Sequence, residues 1–394
     1  MAIQVLGTEV ISNARALNNI ASADATTVAT LNAAGVGGGF KPVSVSGTSQ
    51  ALNLGTYNFF NANTLTTDTT LSFTSVPTDA LWTYTATTAL KETTANGATY
   101  TGNFKNFSAQ AATSYGAAYS TDGTKAYVMM AQGDTVYQYN LSTTWDISTA
   151  TYASLSKYIG SDETEPSAVV FSFDGTKMYI TGQQNDYARQ YNLGTAWNVS
   201  TASLAASFYF GSQDLSPRGL AFSTDGTKMY FVGAYANSVF QYNLGTAWSV
   251  SSASYSGLSK NLDAQGSGVW GVTFSSDGTK MFTGSIGNNS VFQYNLGTAW
   301  NVSTATYSGY SINLSGQVTN VRDISLSSDG LYMLVTESGS LVFQYKVGSA
   351  VSITVPASVQ NPPTISSSPS DQVSYTFVTN DGGTTVKLIN EEVL

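Results

Sequence analysis

The chain of 394 residues contains no cysteine and no histidine. The absence of cysteine excludes disulfide bonds and thiolate zinc sites, and the absence of histidine excludes catalysis by a histidine base. Charged residues make up only 10% of the sequence, so solubility depends mainly on hydroxyl and amide side chains. The chain carries no recognisable cofactor or metal motif, and we predict neither a cofactor nor a metal site.

Long apolar segments and positive charge are also scarce. No segment approaches the roughly 20 apolar residues that a membrane helix needs, and the N-terminus lacks a basic region followed by an apolar core. We therefore expect no membrane insertion and no signal peptide. The net charge of −9 argues against a nucleic-acid partner, because phosphate backbones bind clustered lysine and arginine.

What the chain does contain suits β-structure. Hydrophobic residues make up 42% of the sequence and aromatic residues 12%, which is enough to bury sizeable cores. Threonine and aromatic residues favour strands over helices. The composition therefore predicts a globular, mostly β protein.

A long repeat organises the middle of the chain. An Asp-Gly pair recurs every 51 or 52 residues, at Asp122, Asp174, Asp225, Asp277 and Asp329. Each copy also carries a Gln-Tyr pair downstream, at Tyr139, Tyr191, Tyr242, Tyr294 and Tyr345. A fixed period near fifty residues is typical of a propeller or another repeat array.

Each repeat contains four predicted strands. In the third copy they cover 219–223, 228–232, 238–244 and 253–262, and the Asp-Gly turn joins the first two. A fifth outer-strand segment, 100–107, precedes the first copy and has no inner strands before it. Pairing this segment with the last copy, which ends at Tyr345, would close the ring and protect its edges. The pattern therefore predicts a five-bladed β-propeller over 98–347.

The flanks of the propeller do not repeat. Residues 1–39 are expected to form a helical anchoring or oligomerisation segment and a glycine linker, because Val10, Ala14, Leu17, Ala21, Val28 and Leu31 follow helical spacing. Strand patterns occupy 40–97 and 348–394. Neither flank alone offers enough strands, so we expect one discontinuous β-sandwich with the propeller inserted into it.

Internal comparison separates the scaffold from candidate binding residues. Trp145, Trp197, Trp248 and Trp300 recur with the repeat, as the Gln-Tyr tyrosines do, and are expected to pack. The start of the innermost strand is the variable position of the repeat, and its residues in the five copies are Tyr115, Ser167, Arg218, Trp270 and Arg322. In a propeller this position lies at the mouth of the central channel, beside loops that contain Tyr187, Tyr235, Asn237 and Asn289.

Two interpretations of this face are open. Amide and carboxylate groups bond sugar hydroxyls, and a flat Trp or Tyr can stack on a sugar, so the nine residues form a hypothetical glycan site. Alternatively, Arg218 and Arg322 pair with acids such as Asp214 and Asp323 and simply fill the channel.

A glycoside hydrolase would need paired carboxylates, for which the candidates are Glu163, Glu165, Asp186, Asp214, Asp263, Asp323 and Glu337. None of these lies in a recognisable motif, and we do not expect an enzyme.

Two resemblances to known families are also present. The phrase Phe-Ser-x-Asp-Gly-Thr-Lys-Met-Tyr, at 171–179 and 222–230, resembles the inner strands of bacterial β-propeller repeats of the "SPDG" kind. The segment from Val10 through Ile20 to Gly35 resembles the N-terminal part of bacteriophage tail-fibre and other virion-appendage proteins. Segments 65–73, 353–359 and 377–383 are similar to small β-sandwich modules of those proteins.

The second resemblance implies a structural protein of the virion. Such a protein would contact other virion proteins through its N-terminal segment, form a homo-oligomer, with a trimer favoured, and use its propeller as a receptor-binding unit for adhesion to a host-surface glycan. The alternatives are a capsid decoration protein that binds only virion partners and a polysaccharide-degrading glycoside hydrolase.

Overall fold

The computed structural model describes residues 3–5, 8–11, 43–45, 49–54, 59–65, 69–76, 80–88, 90–350, 353–360, 372–379 and 383–393. The chain divides into two compact units. One unit combines Met1–Lys91 with Ala350–Leu394, and the other is Glu92–Ser349.

Among the described residues, eight strands precede the repeats. They are β1 (Ile3–Val5), β2 (Thr8–Ile11), β3 (Val43–Ser44), β4 (Ser49–Asn53), β5 (Phe59–Leu65), β6 (Thr69–Thr74), β7 (Ala80–Thr88) and β8 (Leu90–Thr93). Strands β1 and β2 form an antiparallel pair, so the helical prediction is wrong for Val10 and its neighbours. The other residues of the predicted helical seam, from Ala14 to Leu31, and the glycine linker lie outside the described residues.

The repeats form twenty strands and four short 3₁₀ helices. The strands are β9 (Thr99–Asn106), β10 (Ser114–Tyr119), β11 (Lys125–Met130), β12 (Thr135–Leu141), β13 (Ala150–Tyr158), β14 (Pro166–Phe171), β15 (Lys177–Gly182), β16 (Tyr187–Leu193), β17 (Ala202–Tyr209), β18 (Pro217–Phe222), β19 (Lys228–Gly233), β20 (Ser238–Leu244), β21 (Ala253–Asn261), β22 (Val269–Phe274), β23 (Lys280–Ser285), β24 (Ser290–Leu296), β25 (Ala305–Asn313), β26 (Val321–Leu326), β27 (Tyr332–Glu337) and β28 (Leu341–Lys346). The 3₁₀ helices are Ile147–Thr149, Val199–Thr201, Val250–Ser252 and Val302–Thr304.

These strands build a closed five-bladed propeller. Blades 1 to 4 are the antiparallel sheets β10–β13, β14–β17, β18–β21 and β22–β25, and blade 5 combines β26–β28 with β9. The inner strand of each blade contacts that of the next blade, and β26 contacts β10. The predicted propeller, its four strands per repeat and its closure by the segment near Tyr100, which pairs with Tyr345, are all confirmed.

A ring of buried glutamines joins the blades. The side-chain oxygens of Gln138, Gln190, Gln241 and Gln344 each accept a hydrogen bond of 3.0–3.2 Å from the backbone N–H that begins a 3₁₀ helix in the next blade. Blade 5 has no such helix, and the oxygen of Gln293 accepts instead from the N–H of Ala95 (2.7 Å) and the hydroxyl of Thr94 (3.0 Å). The segment just before β9 thus replaces the helix that the fifth copy lacks.

The recurrent tryptophans explain the glycine of the Asp-Gly turn. Trp248 has a left-handed backbone with φ of +62°, and its indole lies on Gly226 of the same repeat. A Cβ atom on Gly226, whose φ is +68°, would lie 2.2 Å from the indole. The other three tryptophans have the same geometry, so the repeated tryptophans are packing residues, as predicted.

In the described part of the C-terminal flank five strands follow the repeats, namely β29 (Gly348–Ala350), β30 (Ile353–Thr354), β31 (Val359–Gln360), β32 (Gln372–Thr379) and β33 (Val386–Val393). A six-stranded sheet has the order β3-β5-β7-β32-β33-β31, and a three-stranded sheet has the order β30-β6-β4. Both sheets contribute to one hydrophobic core that includes Leu52, Leu71, Trp82, Tyr84 and Phe377. Strand β7, before the propeller, pairs with β32, after it, so the two flanks fold into one unit.

The helices of the described residues are single 3₁₀ turns, and none of them is long and apolar enough to cross a membrane.

Candidate functional site

The variable position of the repeat lies at one end of the central channel. Tyr115, Ser167, Arg218, Trp270 and Arg322 are each the second residue of an inner strand. That end of the strand is opposite the Asp-Gly turn. The same position in five blades therefore brings five side chains of four types to one end of the ring.

Four of these side chains contact one another, and we call them the mouth cluster: Tyr115, Arg218, Trp270 and Arg322. The guanidinium carbon of Arg218 lies 3.8 Å from the centroid of the Trp270 ring, and that of Arg322 lies 4.0 Å from it. Arg322 also lies 5.0 Å from the Tyr115 ring. The Tyr115 and Trp270 rings meet edge to face, with centroids 5.6 Å apart.

Ser167, the fifth residue, has a supporting position instead. Its buried hydroxyl donates to the carbonyl oxygen of Arg218 at 2.9 Å, and that oxygen also accepts from the hydroxyl of Thr181 at 2.7 Å. Ser167 thus helps to fix the backbone of Arg218.

In the part of the chain that the structure describes, the two arginines have no acidic partner. Among the described residues neither guanidinium forms a hydrogen bond or an ion pair, and both Nε atoms are buried without an acceptor. The carboxylate of Asp214 accepts from the N–H groups of Ser216 (2.8 Å) and Ala236 (2.7 Å). The expectation that the arginines pair with Asp214 and Asp323 is therefore wrong.

The electrostatics of the cluster reflect this lack of counter-charge. Burial, followed by the nearby positive charge of Arg322, lowers the pKa of Arg218 to about 10, although Tyr115, Glu165 and Tyr235 act in the opposite direction. Burial also lowers the pKa of Arg322. Both side chains are still protonated at neutral pH, so two half-buried positive charges lie together.

The loop residues that we predicted to share the site differ in their surroundings. Tyr235 is 80% exposed and close enough to affect the pKa of Arg218, so it lies at the mouth. Tyr187 instead packs under Arg189, 4.3 Å from the guanidinium, and beside Tyr209, with ring centroids 5.2 Å apart. Tyr187 and its two partners form a separate group on blade 2.

Asn237 and Asn289 occupy a repeated scaffold position. Both have left-handed backbones with φ of +44°, and each backbone carbonyl accepts from an N–H group of the chain after the outer strand. The side-chain amide of Asn237 donates to Asp263 and Gly266 at 2.8 Å, and its oxygen accepts from the N–H of Val269 at 3.1 Å. The side-chain amide of Asn237 is therefore used in hydrogen bonds within the loop. The Oδ1 atom of Asn289, in contrast, is buried without a donor among the described residues.

Two of the candidate carboxylates, Glu163 and Glu337, accept hydrogen bonds from loop residues. Glu163 is buried and accepts from the N–H of Glu165 at 3.2 Å, and burial raises its pKa. Glu337 accepts from the N–H and the hydroxyl of Thr319, both at 3.3 Å. In the described part of the chain, no group of three or more acidic side chains is placed to hold a metal ion.

Asp186 has a raised pKa. Burial raises it most, and the charge of Asp214 raises it further. A hydrolase would require two carboxylates at a defined separation, and Asp214 is already bonded to two backbone N–H groups.

Comparison of the five repeats with one another did not reveal the role of Trp270. We expected it to stack on a sugar, but it is only 7% exposed and both guanidinium groups lie over its ring. The signal available in the sequence was the order Arg, Trp, Arg in three consecutive blades, which places Trp270 between two cations. Trp270 supports the arginines, and Tyr115 and Tyr235 offer the more accessible ring faces.

A second feature lies at the other end of the channel. A cavity of about 200 Å³ is lined there by Phe171, Phe222, Phe274 and three of the repeated tryptophans. Its lining is largely the same residue type in successive blades, which is typical of scaffold packing.

Comparisons with known proteins leave the function open. No family model and no curated protein matches the chain. Similar solved structures include a putative 6-phosphogluconolactonase from Bacteroides uniformis, with 15% identity over 54% of this chain and a TM-score of 0.37. They also include the β-propeller domain of Cps50 (Swd1) from Myceliophteria thermophila, with 10% identity over 60% of this chain and a TM-score of 0.36. The matches cover 60% and 70% of those chains, and at this level of similarity neither bears on function.

Proposed function

We propose that this chain is a structural protein of a bacteriophage virion, a tail fibre or another appendage, that displays its propeller for attachment to a host-surface glycan. The observation that carries the glycan part is the broken repetition at the mouth cluster. Trp145, Tyr191 and the other repeated residues pack in the same way in successive blades. The variable position of the repeat instead brings Tyr115, Arg218, Trp270 and Arg322 together.

The mouth offers the two kinds of contact that sugars need. A guanidinium that stacks on a ring through its face keeps the N–H groups of its edge for sugar oxygens. Tyr235, which is 80% exposed, and the half-buried Tyr115 provide aromatic faces for the apolar side of a sugar. In this arrangement Trp270 holds the arginines in place.

The virion part of the proposal rests on the resemblance of 10–35 to phage appendage proteins. The N-terminal segment would attach the chain to other virion proteins, and the protein would assemble as a homo-oligomer, with a trimer favoured. The unit formed by both flanks would be a small discontinuous β-sandwich. Its two sheets share one core, which supports this part of the proposal.

Glycan attachment is tested by applying the purified protein to an array of bacterial surface polysaccharides. We expect binding to a subset of them, weakened several-fold by Tyr235→Ala. The Tyr158→Ala variant is a matched control, because Tyr158 is also exposed, at 61%, but lies at the end of an outer strand. Absence of binding to every polysaccharide would reject the glycan part. Mass spectrometry of purified virions tests the virion part, which fails if the protein is absent from the particle.

One alternative is a polysaccharide hydrolase, for which Asp186, with its raised pKa, and Asp214 are the candidate acids. It predicts shortened products after incubation with bound polysaccharide, and no products with Asp186→Asn. A capsid decoration protein predicts instead that deletion of 98–347 harms particle assembly more than adsorption.

A further inference from the structure

The two arginines of the mouth cluster form no ion pair within the described part of the chain. Both guanidiniums are half-buried, and both Nε atoms lie away from solvent without an acceptor. A half-buried like-charge pair is unfavourable unless aromatic rings or a negative group offset the repulsion. Trp270 and Tyr115 supply the aromatic part of this compensation, but no carboxylate of the described residues is within ion-pair distance.

The terminal nitrogens of both arginines keep their donors free within the described residues. The guanidinium carbons of Arg218 and Arg322 lie 3.8 and 4.0 Å from the centroid of the Trp270 ring, and the Nε atoms are buried. The terminal N–H groups of a guanidinium can bond an anion in pairs. The hydroxyls of Ser167 and Thr181 hold the carbonyl oxygen of Arg218 and thereby fix its backbone.

We propose that the mouth cluster binds the carboxylate of an acidic sugar, with Arg218 and Arg322 as its ligands and Tyr115 or Tyr235 against the sugar ring. This inference rests on the proposed attachment to a glycan and names the class of sugar. A carboxylate suits the site, because its single negative charge costs less to desolvate than a doubly charged phosphate does.

The charge of the whole protein makes this site selective. With a net charge of −9 the chain repels polyanions in general, so diffuse attraction cannot account for binding of an acidic polysaccharide. Binding must then depend on a local positive site. Removal of one arginine of the cluster should therefore remove most of the preference for the acid.

The test compares carboxylated oligosaccharides with their own neutral forms. The probes are oligomers that contain galacturonate, glucuronate or N-acetylneuraminate, each paired with its carboxyl-reduced form, and inorganic phosphate alone. Titration calorimetry with the full chain measures each Kd. The variants are Arg218→Gln, Arg322→Gln and Arg218→Lys, and Lys177→Gln removes one positive charge near the Asp-Gly turns as a matched control.

We expect at least one acid form to bind about tenfold or more tightly than its reduced form, as loss of a charge-assisted hydrogen bond predicts. Arg218→Gln and Arg322→Gln should each remove most of that preference, Arg218→Lys part of it, and Lys177→Gln none. If a Gln variant fails to fold, the preference for the acid form is compared between Arg218→Lys and Lys177→Gln. A smaller preference in Arg218→Lys supports the inference, and equal preferences contradict it.

Three results would overturn the inference. These are equal affinity for acid and reduced forms, no binding of any acid form, and binding of inorganic phosphate alone as tightly as the acid sugars. If neutral polysaccharides of the array bind while the acid sugars do not, the inference fails and the proposed glycan attachment stands. If no polysaccharide binds at all, both fail.

Discussion

The hydroxyl of Tyr179 in blade 2 donates a 2.7 Å hydrogen bond to the backbone carbonyl of Trp248 in blade 3. The same bond joins blade 1 to blade 2 and blade 3 to blade 4, through Tyr127 and Tyr230. The fourth copy has Phe282 at this position, and the fifth copy has no tryptophan to accept the bond. The hydroxyl and its acceptor are therefore lost together at the blade where the ring closes.

Removal of the Tyr179 hydroxyl should lower the stability of the propeller. We expect Tyr179→Phe to lower the free energy of unfolding by about 1–2 kcal/mol, because the Trp248 carbonyl loses its donor. Urea denaturation measures the change. The reverse substitution, Phe282→Tyr, is the control and should give no gain, since blade 5 offers no tryptophan carbonyl. Equal stability of Tyr179→Phe and the wild type would show that the bond contributes nothing.

Gly226, the glycine of the Asp-Gly turn in blade 3, should be sensitive to substitution for two separable reasons. These are backbone strain and collision with Trp248. Gly97→Ala places a side chain at a φ of +72° with no atom within 4 Å, so it should cost only about 1 kcal/mol of backbone strain. Gly226→Ala has almost the same φ but collides with the indole of Trp248, and it should cost about 3 kcal/mol or more. Thermal unfolding of the two variants gives the difference. Similar losses in both would contradict the packing of Trp248 on this turn.

Gln293 should control the closure of the ring. A leucine there would leave the N–H of Ala95 and the hydroxyl of Thr94 without their acceptor, at a cost of about 1–3 kcal/mol. Hydrogen exchange should then accelerate in 94–106, which includes β9, before it does so elsewhere in the propeller. Gln132→Leu, at an exposed position, is the control. Uniform acceleration over all five blades would contradict a local role in closure.

Asp323 should destabilise the protein at neutral pH. Four copies have glycine or alanine at its position, and its own side chain is only 5% exposed. Burial raises its pKa well above the usual value, and the N–H of Ile324 offsets only part of this. The folded state therefore favours the protonated acid, so the stability it contributes is present at low pH and is lost as the pH rises above the unfolded pKa, near 4.

Asp323→Asn imitates the protonated side chain and should remove this pH dependence. We expect the variant to be more stable than the wild type by at least about 1 kcal/mol at pH 7, because each unit of pKa shift corresponds to about 1.4 kcal/mol. Near pH 3 the two proteins should be equally stable. Denaturation midpoints at both pH values test this, and an equal or lower midpoint of the variant at pH 7 would contradict it.

Most of the propeller could be predicted because its signals are local and occur five times. The Asp-Gly turn, the strand patterns and the missing last strand of the fifth copy were all visible in the residues. Internal comparison also located the variable position. It did not show whether Arg218 pairs with Asp214 or stacks on Trp270, because that choice depends on the directions of side chains from different blades.

The first strands were mistaken for helix for a physical reason. Val10 fits a three-four apolar spacing, but a few such positions cannot distinguish a helix from a strand, and the adjacent β-branched Val10 and Ile11 favour the strand found at Thr8–Ile11. Asn237 was misjudged similarly. An asparagine in a loop can bind a ligand, but its tolerance of a positive φ also makes it a common turn residue.

On the proposed function, the propeller binds through the variable position at the start of its inner strands. The most direct test is the affinity of the intact protein for immobilised bacterial surface polysaccharides, compared between the wild type and the Arg218→Gln/Arg322→Gln double variant. The Lys177→Gln/Lys228→Gln double variant removes the same charge near the Asp-Gly turns and serves as the control. We predict that the arginine variant loses at least about tenfold in affinity while the lysine variant does not. Equal binding by the wild type and the arginine variant would contradict binding at this position.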